Sequence, residues 1–116
     1  MITVYGITSC DTVKKALKWL DAEGLAYAFH DLRTDGLTAE TAQRWVDALG
    51  WESVLNRRST TWRELPDADK KMLDAAKVVR LLVRYPTLVK RPVFEKKDWI
   101  INGFTDAVRA KLACRT

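Results

Sequence analysis

Two cysteines in 116 residues are too few for the disulfide scaffold of a small secreted domain. His30 is the only histidine, and no cysteine, histidine or carboxylate cluster has metal-ligand spacing, so no metal is expected. No apolar run approaches the roughly 20 residues that span a bilayer. Met1-Ile2-Thr3-Val4-Tyr5 lacks the basic segment and the small-residue cleavage site of a signal peptide. A phosphate-cradling glycine loop, a dinucleotide fingerprint, repeats and low-complexity tracts are all absent; Gly6 by itself reads as a turn residue. These absences lead to the expectation of a cytoplasmic chain with reduced thiols, no membrane contact and no bound cofactor.

What remains is ordinary globular composition, 47% hydrophobic and 30% charged. That is enough to build one domain over residues 1–116, with a monomer as the expected state. Twenty basic against fifteen acidic residues give a net charge of +5, which favours anionic partners. The basic residues are spread along the chain without a tract or a nucleic-acid motif, so direct nucleic-acid binding is not expected.

Periodicity sets the organisation. Ile2 to Tyr5 reads as a strand. Val13, Ala16, Leu17 and Leu20 then share one helix face, and Gly24 suits the position just past the helix end. Leu25 to Leu32 reads as a second strand, parallel to the first with a right-handed crossover. Thr38 is a good N-cap for a helix carrying Ala42, Trp45, Val46 and Leu49, which Gly50 ends. A further helix is predicted from Asp67 or Asp69, with Met72, Ala75, Ala76, Val79, Leu82 and Val83 as its stripe, stopping before Pro86. Leu55 to Trp62 is polar and without period. Val93 to Glu95 and Trp99 to Ile101 are short strands close enough for a hairpin, closed by Asn102-Gly103. Thr105 can cap a last helix with Val108 and Leu112. The fold class is therefore α/β, a mixed sheet covered by helices. Trp19, Trp45, Trp62 and Trp99 read as core and rim packing rather than base-stacking platforms.

Cys10 is the sharpest chemical candidate. It lies between the first strand and the first helix, where outward-pointing amides and the helix dipole favour thiolate over thiol. The alternative is a buried, inert thiol. Polar neighbours, Thr8, Ser9, Asp11 and Thr12, argue against it. Thr8 and Ser9 can hydrogen-bond a thiolate or cap the helix, and the two roles are compatible. Val13 stands where a Cys-x-x-Cys pair would need its second cysteine, so a local dithiol cycle is excluded. Cys114 reads as a thiol on a helix terminus. A single-thiol mechanism needs an external thiol, and glutathione is the abundant one.

Arg91-Pro92 stands just before a predicted strand, and spacing does not distinguish a cis from a trans bond. Arg57, Arg58 and Arg91 read singly as solvated charges. Converging on a thiolate, they would form an anion site through paired guanidinium donors. His30 reads as a structural or surface histidine.

Three segments carry a resemblance. Tyr5-Gly6-Ile7-Thr8-Ser9-Cys10-Asp11-Thr12-Val13-Lys14-Lys15-Ala16, Asn56-Arg57-Arg58-Ser59-Thr60-Thr61-Trp62-Arg63 and Lys90-Arg91-Pro92-Val93 resemble the glutaredoxin-linked arsenate reductase and Spx family, closest to its YffB branch. The resemblance covers essentially the whole chain. It implies a thioredoxin-like fold with a mixed four-stranded sheet and a helical insertion after the second strand, at roughly 38–85. It implies that Cys10 is the active cysteine, that Arg91 lies beside it before a cis Pro92, and that Arg58, with Arg57 as neighbour, faces the same pocket. The arsenate enzymes carry a histidine four residues before the cysteine and an arginine four after it, where this chain has Gly6 and Lys14. Their third arginine falls in the region of Asn102-Gly103-Phe104. The activity implied is that of a glutathione-dependent monothiol reductase, with glutaredoxin as a further partner. The alternatives are true arsenate reduction, and a non-catalytic Spx-like regulator that binds RNA polymerase.

Overall fold

Val13, Ala16 and Leu20 are buried along one side of helix α1, Asp11–Ala22. Gly24 ends this helix in the left-handed region at φ +67°. Its N–H donates to Asp21 O at 3.1 Å, and the Leu25 N–H donates to Leu20 O at 3.0 Å. This is the paired C-terminal closure that a glycine permits. It takes up Leu25, so strand β2 begins later than the predicted Leu25 and runs Tyr27–Asp31.

The computed structural model describes residues 1–115. They form two compact units, one of Met1–Leu32 with the chain from Arg91 onward, the other of Arg33–Lys90. In the first unit the sheet order is β2-β1-β3-β4, with β1 at Ile2–Gly6, β3 at Val93–Lys96 and β4 at Trp99–Asn102. Strand β1 is parallel to β2 and antiparallel to β3, and β3 is antiparallel to β4. The register aligns Phe29, Val4, Phe94 and Ile101 in one row across all four strands. A strand's side chains alternate between faces, so this row lies on one side. There it joins Ile2, Ala16 and Leu20 and, from the last helix α7 (Asp106–Arg115), Val108 and Leu112 in a common core. Thr105 caps α7 as predicted, its Oγ1 accepting the Val108 N–H at 3.2 Å. The mixed four-stranded sheet with its helices is a thioredoxin-like fold.

The second unit contains the predicted insertion. Helix α2, Ala39–Leu49, is capped by Thr38 and buries Ala42, Trp45 and Val46. More helices follow than the two predicted: α3 (Trp51–Val54), α4 (Thr60–Glu64), α5 (Asp67–Lys70), α6 (Ala75–Arg84) and a 3-10 turn at Pro86–Leu88. Elements of four or five residues are too short to display a 3.6-residue period. The helix predicted to start near Asp67 or Asp69 is broken. Asp74 accepts the Lys77 N–H at 2.8 Å and so restarts the helix as an N-cap, the local bond that disfavours aspartate in a helix interior. Met72, predicted in the apolar stripe, therefore lies outside any helix at φ +52° and is 92% exposed. Helix α2 packs against α6, whose Val78, Val79, Leu81 and Leu82 are buried.

One close contact in the first unit sets the height of α1 over the sheet. A β-carbon on Gly6 would stand 2.7 and 2.9 Å from the two γ-carbons of Val13, which is fully buried. Gly6 lies inside β1 and is needed for clearance, which corrects its reading as a turn residue. We expect Gly6→Ala to destabilise the protein by about 1–3 kcal/mol, because Val13 has nowhere to retreat. A double-mutant cycle with Val13→Ala, read by urea unfolding, should return a favourable coupling; simple additivity would show that this contact is not the cause.

Burial first, and then hydrogen bonding to Asp21 and the charge of its carboxylate, raise the Tyr27 phenol above its ordinary value of 10.0. The unfolded chain thus releases this proton before the folded one. Stability should be fully present below pH ~10 and fall as pH rises beyond it. Tyr27→Phe should flatten that fall in urea midpoints taken across the alkaline range. An unchanged slope would exclude the contribution.

Candidate active site

Cys10 is the N-cap of α1, with extended backbone at φ −84° and ψ 120°. Its N–H donates to Ile7 O at 3.2 Å, and its carbonyl accepts the Lys14 N–H at 3.0 Å. The Ile7–Ser9 loop is thus folded onto the helix start, and Ile7 is buried beneath it. An N-cap side chain stands beside the unpaired amides of the first turn. The Cys10 side chain makes no hydrogen bond to them. Thr8 and Ser9 are exposed, and the N-cap position of α1 falls on Cys10 rather than on either of them. Cys10 itself is half-buried, with its thiol free. It is not fully buried, as a core thiol would be.

The sheet register determines what else reaches this end of the unit. Tyr5 pairs with Val93, so β3 starts where β1 finishes. Arg91-Pro92 immediately precedes it, and that peptide bond is cis. The Pro92 carbonyl accepts the Gly103 N–H at 2.9 Å, and Leu32 N–H donates to Gly6 O at 2.8 Å. Cys10 and Arg91 are therefore brought to the same end of the sheet by its topology. Pro92 is buried and Arg91 half-buried. Arg91 is engaged within the chain, while its Nε is buried without a hydrogen-bond acceptor. His30 packs on Tyr5 of the neighbouring strand, ring centroids 4.9 Å apart, in keeping with a structural role.

Arg57 and Arg58 belong to the second unit. Asn56 N–H donates to Leu88 O at 2.8 Å, Lys90 N–H donates to Val54 O at 2.7 Å, and Leu55 bridges Val89. These bonds bring the start of the Asn56–Ser59 segment beside Lys90. Asn56 Oδ1 then accepts the Arg58 N–H at 3.0 Å, and Ser59 caps α4 by accepting the Trp62 N–H at 3.2 Å. Glu52, Leu55, Asn56, Arg57, Arg58 and Lys90 line a cavity of about 310 Å³. Three cations against one carboxylate make it basic. The Arg57 guanidinium also lies 5.4 Å over the Trp51 ring. Lys90 and Trp51 were not singled out as site residues. The long-range pairing of Val54–Asn56 with Leu88–Lys90 reveals Lys90's place there.

Among the described residues no group of three or more His, Cys, Asp or Glu side chains could hold a metal ion, and no helix is long and apolar enough to cross a membrane. Cys114 is exposed on α7.

Comparison with known proteins agrees with this geometry. A solved structure of a protein named YffB superposes with a TM-score of 0.92 at 42% identity, covering 96% of this chain and 97% of its own. An arsenate reductase-related protein from Brucella melitensis matches at 43% identity with a TM-score of 0.76, covering 95% and 92%. An uncharacterised protein of Haemophilus influenzae is 43% identical over 106 residues, 91% of this chain and 93% of its own length. The global transcriptional regulator Spx of Streptococcus pneumoniae is 27% identical over 97% of this chain and 86% of its own. The ArsC family model matches residues 5–111. The chain is thus a member of the ArsC family, close to YffB.

Proposed function

We propose that the protein is a monothiol reductase that uses glutathione as co-substrate and Cys10 as nucleophile. The observation that carries this reading is the half-buried free thiol at the N-cap of α1, at the same sheet end as Arg91. Cys10 thiolate attacks one sulfur of a disulfide. A Cys10–substrate disulfide forms, and the other substrate sulfur leaves as a thiolate that takes up a proton. A glutathione thiolate then attacks the substrate sulfur. The glutathione–substrate disulfide departs and the Cys10 thiolate is restored. The resolving thiol is external because Val13 fills the Cys-x-x-Cys position and is itself locked under Gly6.

In this reading Arg91 holds a carboxylate of glutathione by charge-assisted hydrogen bonds, and the exposed Thr8 and Ser9 hydroxyls serve its polar groups. Pro92 shapes the approach of Arg91 to the site. Arg58, with Arg57 beside it, is assigned to anion binding on its motif, and the basic cavity of its own unit supports that assignment. Glutaredoxin would serve as a second reductant for the mixed disulfide. Arsenate reduction itself is disfavoured. The family's histidine has no room at position 6, where even a β-carbon meets Val13 at 2.7 Å.

The match to Spx regulators along 97% of the chain favours a second reading, a regulator that acts by binding a protein. The two readings part at Cys10. Under the reductase reading, Cys10→Ser abolishes glutathione-dependent reduction of a small mixed disulfide, and mass spectrometry finds glutathione on Cys10 rather than Cys114. Arg91→Ala should raise the KM for glutathione by about 10- to 100-fold, the effect of losing a hydrogen bond to a charged group. Turnover undiminished by Cys10→Ser, or no Cys10 adduct under oxidised glutathione, would defeat the reductase reading.

A further inference from the structure

The second unit carries a surface that the Cys10 chemistry does not use. The solvent side of α6 presents Lys77, Arg80 and Arg84, and the helix contains no acidic residue. Residues three and four apart on a helix are neighbours, so the three cations form one cluster. With Asp69 and Leu81 they line an open groove of about 300 Å³. Leu81 is buried to 7% exposure and gives the groove an apolar floor.

Part of this cluster has an internal role. Lys77 Nζ donates to Ala68 O at 2.9 Å and to Lys71 O, which ties the α5–α6 turn to α6. Arg84 sits in the last turn of its helix, where a cation meets the negative dipole end, and its guanidinium lies 5.4 Å over the Tyr85 ring. Arg80, exposed in mid-helix, has neither role. Met72 directly follows the anchored Lys71. Its φ of +52° is disfavoured by a β-carbon and relieved by glycine, yet a long apolar side chain stands there at 92% exposure. Methionine adapts readily to an apolar partner surface.

We propose that the Met72 turn and the basic face of α6 form a docking surface for an acidic segment of a partner protein, a helix with carboxylates one turn apart and an apolar side chain between them. The carboxylates would pair with Arg80 and Arg84, and the apolar side chain would meet Met72 and the Leu81 floor. Charge complementarity selects this occupant. A second copy of the chain would bring like charge against like charge across a two-fold contact. The surface is independent of Cys10, and neither reading of that residue has to hold for it to work.

The test is a two-dimensional NMR titration of the full chain with a short synthetic helical peptide bearing two glutamates one turn apart and one leucine. Saturable shifts should concentrate between Ala68 and Arg84, with a Kd below about 1 mM. Arg80→Glu with Arg84→Glu should raise the Kd at least about tenfold, an order expected for losing charge-assisted pairs, while the remaining spectrum shows an intact fold. Met72→Gly should weaken the peptide several-fold and raise Tm, a combination that mere structural damage would not produce. Shifts outside this segment, no saturation, or equal or tighter occupation of the same residues by inorganic phosphate or duplex DNA would overturn the proposal.

Discussion

The approach of the end of β1 to the first turn of α1 governs the geometry around Cys10. Gly6 and Val13 stand so close that a single β-carbon cannot be inserted between them. That contact sets how low α1 sits on the sheet. The Ile7–Ser9 loop must then close within a few residues, and Cys10 becomes the residue that starts the helix. An N-cap without a side-chain hydrogen bond leaves first-turn amides unpaired beside the thiol. The same packing leaves no room for a side chain at position 6.

Around that contact the sheet acts as a sorting device. A parallel β1–β2 pair and an antiparallel β1–β3 pair bring the end of β1 next to the beginning of β3. Arg91, some 80 residues from Cys10 in sequence, arrives at the same sheet end by strand pairing alone. The hydrophobic row Phe29, Val4, Phe94 and Ile101 holds the register, since a slip of one residue would turn that row away from α1 and α7. The Arg33–Lys90 unit solves a different problem. Its short helices are linked through side-chain caps at Thr38, Ser59 and Asp74, each accepting from an amide three residues on. Such a unit can hold two separate basic surfaces, the cavity of Arg57, Arg58 and Lys90 and the outer face of α6.

How legible these features were depended on their range. The long periodic segments α1, α2 and most of α6, the four strands, and the caps at Thr38 and Thr105 were all readable, because each is written in residues a turn or less apart. So was Cys10 as the candidate nucleophile, from its place between a strand and a helix. The short helices α3, α4 and α5 were not, since four or five residues hold barely one period. The break at Met72 was hidden by an apolar stripe that continued through it. The local bond from Asp74 to the Lys77 amide outweighed that stripe.

Residue order alone therefore determined the long helices, the strands, most of the core-facing stripes and the family, because those rest on spacing and on motifs within a few residues. Tertiary structure alone decided that Gly6 serves clearance rather than turning, that Arg91-Pro92 is cis and shares a sheet end with Cys10, and that Lys90 joins Arg57 and Arg58. Those outcomes depend on contacts between residues far apart in sequence. No local pattern records such distances; they emerge only when strands pair and helices settle on a common core.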